Sequence, residues 1–335
     1  MKIAVIGAGA IGGLVGAKLA LAGEAVTFIV RGANLEAIRR QGMKLIMHDG
    51  TEHVATNVKA TNDYAEAGPQ DIVILATKAH QVDAVAGDLP RLFGPDTVVV
   101  TMQNGIPYWY FHKHGGPLEG SQVKSVDPTG TLATAIPPER VIGCVVYPAS
   151  ELIAPGVVRH IEGDRFPVGE LDGSASERVT RISECFTRAG FKAPVLDNIR
   201  CEIWLKLWGN LTFNPISSLA HSTLVDICQY QPSRDLAASM MREAQDTAHK
   251  LGIEFRVTLD KRIAGAEKVG KHKTSMLQDI EAGRAPEIDA LVGSVVELGR
   301  LTQTPTPHID TVYALVKLLA RTMEAESGLV RLQPA

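Results

Sequence analysis

Aromatic residues make up only 5% of this 335-residue chain, and it has just four cysteines. Cys144, Cys185, Cys201 and Cys228 lie far apart with no C-x-x-C pair. Neither a disulfide framework nor a zinc site is expected, and reduced thiols are the default. Charge of one sign is also missing: 34 Lys and Arg against 37 Asp and Glu leave a formal charge of −3. That balance provides no basic footprint for nucleic acid, and no long block of like charge marks an interaction tail. No apolar run reaches the ~18 residues read as a membrane span. The N-terminus runs into a strand and a turn rather than the basic, apolar and small-residue regions of a secretory signal. A cytoplasmic protein with neither nucleic acid nor a membrane as partner is therefore expected. His221, His249 and His272 have no partners at metal-ligand spacing, so no metal is expected either.

At roughly 150 residues per domain the length suggests two domains, each able to bury its own core. In the first half, short apolar runs alternate with helix-length segments. The runs are 2–6 (KIAVI), 25–30 (AVTFIV), 71–76 (DIVILA) and 97–102 (TVVVTM), and residues 10–22 have helical spacing. This is the pattern of buried parallel strands in βαβ units. Segments 142–147, 156–161 and 166–169 read as strands that complete or flank the sheet. Beyond about residue 175 helical patterns take over: 174–190, 200–221, 232–252, 275–283, 286–300 and 307–325. The segment at 232–252 opens with proline and closes with glycine, the usual asymmetry of a helix. The expected fold is α/β: a Rossmann dinucleotide-binding domain over 1–175, then an all-helical domain over 176–335.

The strongest motif is Gly7-Ala8-Gly9-Ala10-Ile11-Gly12, set between the first strand and the first helix. Gly7 permits the tight turn, Gly9 lets the backbone approach a pyrophosphate, and Gly12 lets helix and strand pack closely. The helix start at Ala10 and Ile11 offers open N–H groups and a positive dipole end to phosphates. Arg31 ends the second strand, where an NAD-specific site carries an acid for the ribose 2′-hydroxyl. A guanidinium there can instead bind a 2′-phosphate through paired hydrogen bonds, so NADPH is the expected cofactor. Asn34, Arg39 and Arg40 are weaker helpers. Two more strand ends carry polar groups: Thr77-Lys78 and Gln103-Asn104-Gly105. In an open parallel sheet ligands bind beyond the carboxyl ends of the strands, so Lys78 and Asn104 are candidates for contact with cofactor or substrate. An Asn-Gly pair is also a common turn.

The segment from Cys201 to Pro215 is strongly apolar, yet Lys206, Asn210 and Asn214 recur every four residues. A step of four turns a helix by only ~40°, so the three share a face. Solvent-facing stripes are usually richer in Glu, Lys and Arg, and a buried polar stripe must meet partners or a ligand. A lysine suits carbonyl reduction. Negative charge builds on the carbonyl oxygen as hydride arrives, and an ammonium can stabilise that charge and deliver a proton. Partial burial would lower its pKa from the reference ~10.4 and make it a better donor.

Together with KTSMLQDIEAGRAPEID at 273–289, these motifs resemble the ketopantoate reductases (2-dehydropantoate 2-reductases) over roughly residues 1–320. The resemblance implies a Rossmann domain plus a helical domain, with the active site in the cleft between them. It also implies NADPH-dependent reduction of ketopantoate to pantoate on the route to pantothenate and coenzyme A. By matching positions, Lys206 is the general acid, and Asn210 and Asn214 are substrate-binding amides. Ser275 binds the substrate carboxylate, and Glu287 lies near the substrate hydroxyl and the lysine. Lys78 and Asn104 contact cofactor and substrate. Both Ser275 and Glu287 also have a plain reading: Ser275 as the cap of a helix, in a capping box with Gln278, and Glu287 as a first-turn carboxylate after Pro286.

The chain departs from the family in two places. After Asn104-Gly105 an aromatic run, Tyr108-Trp109-Tyr110-Phe111, opens a long segment over 106–128. It is a candidate lid, pocket wall or partner-binding loop, or a surface loop anchored by its aromatics. After Asn214 the chain has Ser217, Ser218, His221 and Ser222, where the family often has a further asparagine. Both departures leave room for a different 2-oxo acid as substrate. A non-catalytic NADP-binding sensor is the rival from another class, and it predicts cofactor binding without turnover. The apolar helix at 307–325 is a candidate homodimer contact.

Overall fold

The structure is a computed structural model that describes residues 1–326; the end of the expected second domain, 327–335, lies outside the described residues. The chain forms two compact units. The first comprises 1–103, 108–122 and 127–199; the second comprises 104–107, 123–126 and the chain from Arg200 onward. They are described separately.

The strands of the first unit are β1 (Lys2–Ile6), β2 (Ala25–Ile29), β3 (Met43–Ile46), β4 (Glu52–Ala55), β5 (Val58–Thr61), β6 (Gln70–Leu75), β7 (Phe93–Thr101), β8 (Val141–Cys144), β9 (Ala149–Ala154), β10 (Val157–Glu162) and β11 (Val168–Gly169). Seven of them form one sheet in the order β11-β8-β7-β6-β1-β2-β5, parallel except for β11. The strand order reverses at β1, so a crevice opens beyond the ends of β1 and β6, where dinucleotides bind in such sheets. The continuous apolar runs have the predicted reason: Ile3 to Ile6 and Ile72 to Leu75 are buried to within 1% of full burial.

Four further strands form a second sheet, β4-β3-β10-β9. The strand expected at 156–161 exists as β10, but it pairs with β3 and β9 rather than with the main sheet. This sheet packs over helix α1 (Ala10–Leu21), which is buried along eight of its twelve residues. Sandwiching explains why that helix is apolar and small all round. A Cβ on Gly13 would come 2.6 Å from Val158, and one on Gly16 would come 2.4 Å from the Phe28 ring.

The other helices of this unit are α2 (Gly32–Gln41), α3 (Tyr64–Ala67), α4 (Ala79–Ala86), α5 (Thr131–Ala135) and α6 (Glu177–Arg188). Helix α6 corrects the expected boundary at 175/176. Its buried face, Val179, Ile182, Cys185 and Phe186, joins the same core as β1 and α1. Phe166, Phe186 and Phe191 pack edge to face there, with centroids 4.7–6.3 Å apart. The first unit therefore extends to Ile199. The aromatic run after β7 is anchored in this unit as well. Tyr110 and Phe111 are fully buried, the Tyr108 hydroxyl donates to Ile136 O at 2.8 Å, and Trp109 Nε1 donates to Thr101 Oγ1 at 3.1 Å. Of the readings open for 106–128, the anchored loop matches this packing.

The second unit is helical: α7 (Ile199–Ala220), α8 (Leu224–Gln229), α9 (Gln231–Lys250), α10 (Leu259–Val269), α11 (Ser275–Glu281), α12 (Ser294–Leu301) and α13 (Pro307–Ala325). Trp204 and Trp208 of α7 are fully buried; Trp208 Nε1 donates to Met241 O at 2.8 Å, and its ring lies 4.2 Å from that of Phe255. The helix expected over 286–300 has two parts. A π-helical turn, Asp289–Gly293, precedes α12. Among the described residues no helix is long and apolar enough to cross a membrane.

Candidate active site

In the first unit the loop from Gly7 to Gly12 has the shape of a phosphate cradle. Gly7 sits at φ +89°, and a Cβ there would meet the Thr77 side chain at 2.9 Å, so the ends of β1 and β6 lie against each other. A Cβ on Gly12 would lie 1.9 Å from Gly7 O, so only glycine allows this approach. A Cβ on Gly9, by contrast, would have no heavy atom within 4 Å. Gly9 is the residue before α1 and has no side chain to cap it, so Ala10 and Ile11 open a helix with no side-chain cap. The loop is braced from one side. Asn34 Nδ2 donates to Ala8 O at 3.3 Å, and Asn34 Oδ1 accepts from Gly156 N at 2.9 Å.

Arg39 Nε donates to Ala60 O at 2.9 Å. Arg31 is exposed at the residue before α2. It acts on Tyr64, whose phenol is pushed up to about 12 chiefly by burial, with the Arg31 charge opposing that rise. Lys78 is half-buried at the start of α4, and its N–H donates to Gln81 Oε1 at 3.3 Å. Gln103 ties two strand ends together: Nε2 donates to Leu75 O and Thr77 O at 2.9 and 3.0 Å.

In the second unit three of the expected residues meet. Lys206 Nζ donates to Asn104 Oδ1 at 2.6 Å, and Asn104 Nδ2 donates to Glu287 Oε2 at 3.5 Å, a long hydrogen bond. All three are half-buried. The scaffold behind them is backbone. Ile106 N donates to Ala290 O at 3.0 Å, docking the Asn104-Gly105 turn on the π-helical turn that follows Glu287. Ser294 Oγ donates to the same oxygen at 2.7 Å. Gly105, at φ +91°, has no room for a side chain: a Cβ would come 2.0 Å from Ala290 O. π-helical turns recur at functional sites because they expose backbone carbonyls that a regular helix would use internally.

The predicted face of α7 is present. Lys206 and Asn210 are half-buried, and Asn214 is 5% exposed. Beside it, Glu202 is 2% exposed and accepts from Arg256 Nη2 at 2.6 Å. Gly209 leaves space for a guanidinium: its Cβ would lie 2.0 Å from Arg262 Nη2. The stripe extends one turn further than the sequence suggested. Ser218, four residues after Asn214, is fully buried, and neither its Oγ nor Asn214 Nδ2 has a hydrogen-bond partner. The i+4 spacing of Ser218 from Asn214 is the sequence signal that marks it.

Two local expectations change. Thr274, not Ser275, caps α11, with its Oγ1 accepting from Leu277 N at 3.3 Å. Ser275 is therefore exposed at the first helical position with its hydroxyl released from capping. Glu287 precedes the helical turn rather than lying in its first turn, and its carboxylate accepts from Asn104 Nδ2.

Residues 3–173 match the family model of ketopantoate reductase PanE/ApbA, and residues 198–320 match the model of its C-terminal part. The chain is 55% identical to a 2-dehydropantoate 2-reductase of Mesorhizobium japonicum over 96% of this chain and 98% of the relative. It is 32% identical to a 2-dehydropantoate 2-reductase of Pyrococcus horikoshii, over 95% and 97% of the two chains. A crystal structure of a candidate ketopantoate reductase from Ralstonia solanacearum MolK2 superposes with a TM-score of 0.91 at 42% identity, covering 96% of this chain and 98% of that one. The chain belongs to the ketopantoate reductase family.

Proposed function

We propose that this protein is an NADP-dependent oxidoreductase that reduces ketopantoate to pantoate in the cytoplasm, a step toward pantothenate and coenzyme A. The observation that carries the reading is the contact of Lys206 Nζ with Asn104 Oδ1 at 2.6 Å, with Glu287 next in line. An ammonium held by an amide and backed by a carboxylate can donate to a carbonyl oxygen as negative charge grows on it.

The glycine loop fits a dinucleotide, because the open space at Gly9 and the uncapped start of α1 suit a pyrophosphate. Gly7, Gly9, Ala10, Ile11 and Gly12 would hold it, Lys78 would add a positive charge, and exposed Arg31 would take the 2′-phosphate that distinguishes NADPH from NADH. When bound, the cofactor supplies hydride to the keto carbon. Lys206 orients the keto oxygen and passes it a proton from Nζ, then regains one from solvent. Asn104 fixes the direction of that ammonium, and Glu287 holds the Asn104 amide. Asn210 and Asn214 bind the substrate along the helix face, and Ser275, freed from capping, takes the carboxylate. The protein acts as a homodimer through α13, where Leu315 and Leu318 are 50% and 59% exposed.

The test is NADPH oxidation with ketopantoate beside pyruvate, 2-oxoisovalerate and larger 2-oxo acids. Ketopantoate is expected to have the highest kcat/KM, with NADPH preferred over NADH. Turnover of another acid but not ketopantoate would refute the substrate, and NADPH binding without turnover of any of them would leave a sensor.

A further inference from the structure

Most hydroxyls of α7 find a backbone acceptor. Thr212 Oγ1 donates to Trp208 O at 3.0 Å, and Ser217 Oγ donates to Ser222 O at 2.6 Å. Ser218 is the exception. It is fully buried with an orphaned Oγ, and one turn before it Asn214, 5% exposed, buries an orphaned Nδ2. Two orphaned groups on one helix face, ~5–6 Å apart at their Cβ atoms, form a matched donor and acceptor. Each leaves an uncompensated desolvation cost unless something joins them. A buried orphaned pair beside the candidate substrate face calls for a partner.

We propose that Ser218 is a positioning residue for Asn214 and thereby a determinant of substrate choice. In the working state Asn214 Nδ2 donates to Ser218 Oγ, directly after a small side-chain rotation or through one water. That pairing fixes which way the amide faces. The nitrogen is held inward, and Oδ1 is presented to the substrate as an acceptor. An outward acceptor selects a 2-oxo acid that carries a hydroxyl donor on its tail over one of the same shape without it. A site built for a hydroxyl discriminates by leaving its own polar group unpaired when the hydroxyl is missing. The inference rests on the 2-oxo acid reductase reading above.

The test compares ketopantoate with 2-oxoisovalerate, which lacks the tail hydroxyl, in wild type and Ser218→Ala. The ratio of their kcat/KM values should fall about tenfold in S218A, the worth of one hydrogen bond, chiefly through a higher KM for ketopantoate. KM for NADPH should not change. The thermal midpoint should hold or rise, because the substitution removes a buried hydroxyl with no partner. Ser218→Cys, similar in size with a weak acceptor, should lie between the two. An unchanged substrate ratio in both variants overturns the proposal, as does an equal loss on both acids with a lowered midpoint, which marks a purely structural serine. Failure of the wild type to reduce either acid would overturn the functional reading instead, so the two failures are distinct.

Discussion

A methyl group at position 105 should uncouple the candidate site from its scaffold. Gly105 has φ +91°, and an alanine Cβ would lie 2.0 Å from Ala290 O and 2.5 Å from Ala290 C. Backbone cannot yield as a flexible side chain can. To restore ordinary contact beyond 3.4 Å the turn must retreat by more than an ångström. The left-handed conformation costs an L-residue about 1–2 kcal/mol. Loss of the hydrogen bond from Ile106 N to Ala290 O costs about 1 kcal/mol more. A destabilisation of about 2–3 kcal/mol corresponds to roughly 5–10 °C in the thermal midpoint. Asn104, one residue earlier, moves with the turn, and a misplacement of about 1 Å at a reacting group costs about 10²-fold in rate. Gly270→Ala is the control. It has φ +80° but no heavy atom within 4 Å of the added Cβ, so only the backbone cost applies and turnover is unaffected. Scanning calorimetry and steady-state NADPH oxidation on both variants supply the comparison. Wild-type kcat/KM together with a wild-type midpoint in G105A would refute the docking of this turn as the scaffold of the site.

Arg31→Asp should lower the ratio of kcat/KM for NADPH over NADH by at least about tenfold, since it replaces a charge-assisted contact with repulsion; an unmoved ratio removes Arg31 from the 2′-phosphate site. Thr274→Ala should lower stability by about 1 kcal/mol through the lost cap while leaving KM for ketopantoate alone. Ser275→Ala should do the reverse, raising KM with no change in midpoint; exchanged phenotypes would show that the cap and the ligand had been assigned to the wrong hydroxyls.

The sequence revealed the nucleotide half of the fold where physics writes a strong local signal. Strands buried on both faces must be continuously apolar, and a glycine that must tolerate a Cβ-free approach, such as Gly12, stands in a fixed motif. The second sheet left no such signal, because β4 reads EHVA and is exposed at three of its four residues. The boundary failed for a related reason. An amphipathic face such as Val179, Ile182, Cys185 and Phe186 says that α6 is half-buried, but not which core receives it. At the site, the i+4 repeat of Lys206, Asn210 and Asn214 identified a helix face, because helical geometry is local. The meeting of Lys206 with Asn104 and Glu287 depends on long-range docking of Gly105 against Ala290. Without the family resemblance no spacing would have joined them. The π-helical turn at 289–293 was invisible for the same reason, since its sequence is that of an ordinary apolar helix. Choosing between Thr274 and Ser275 as the cap needed the helix register to within one residue, finer than sequence pattern resolves.

The central claim is that the Lys206 ammonium delivers the proton. It is tested most directly in Lys206→Ala, by titrating NADPH fluorescence and measuring ketopantoate turnover on the same protein. The account predicts NADPH affinity within about twofold of wild type and turnover lower by about 10²- to 10⁴-fold, the range typical of a lost general acid. Turnover within a few-fold of wild type would contradict it.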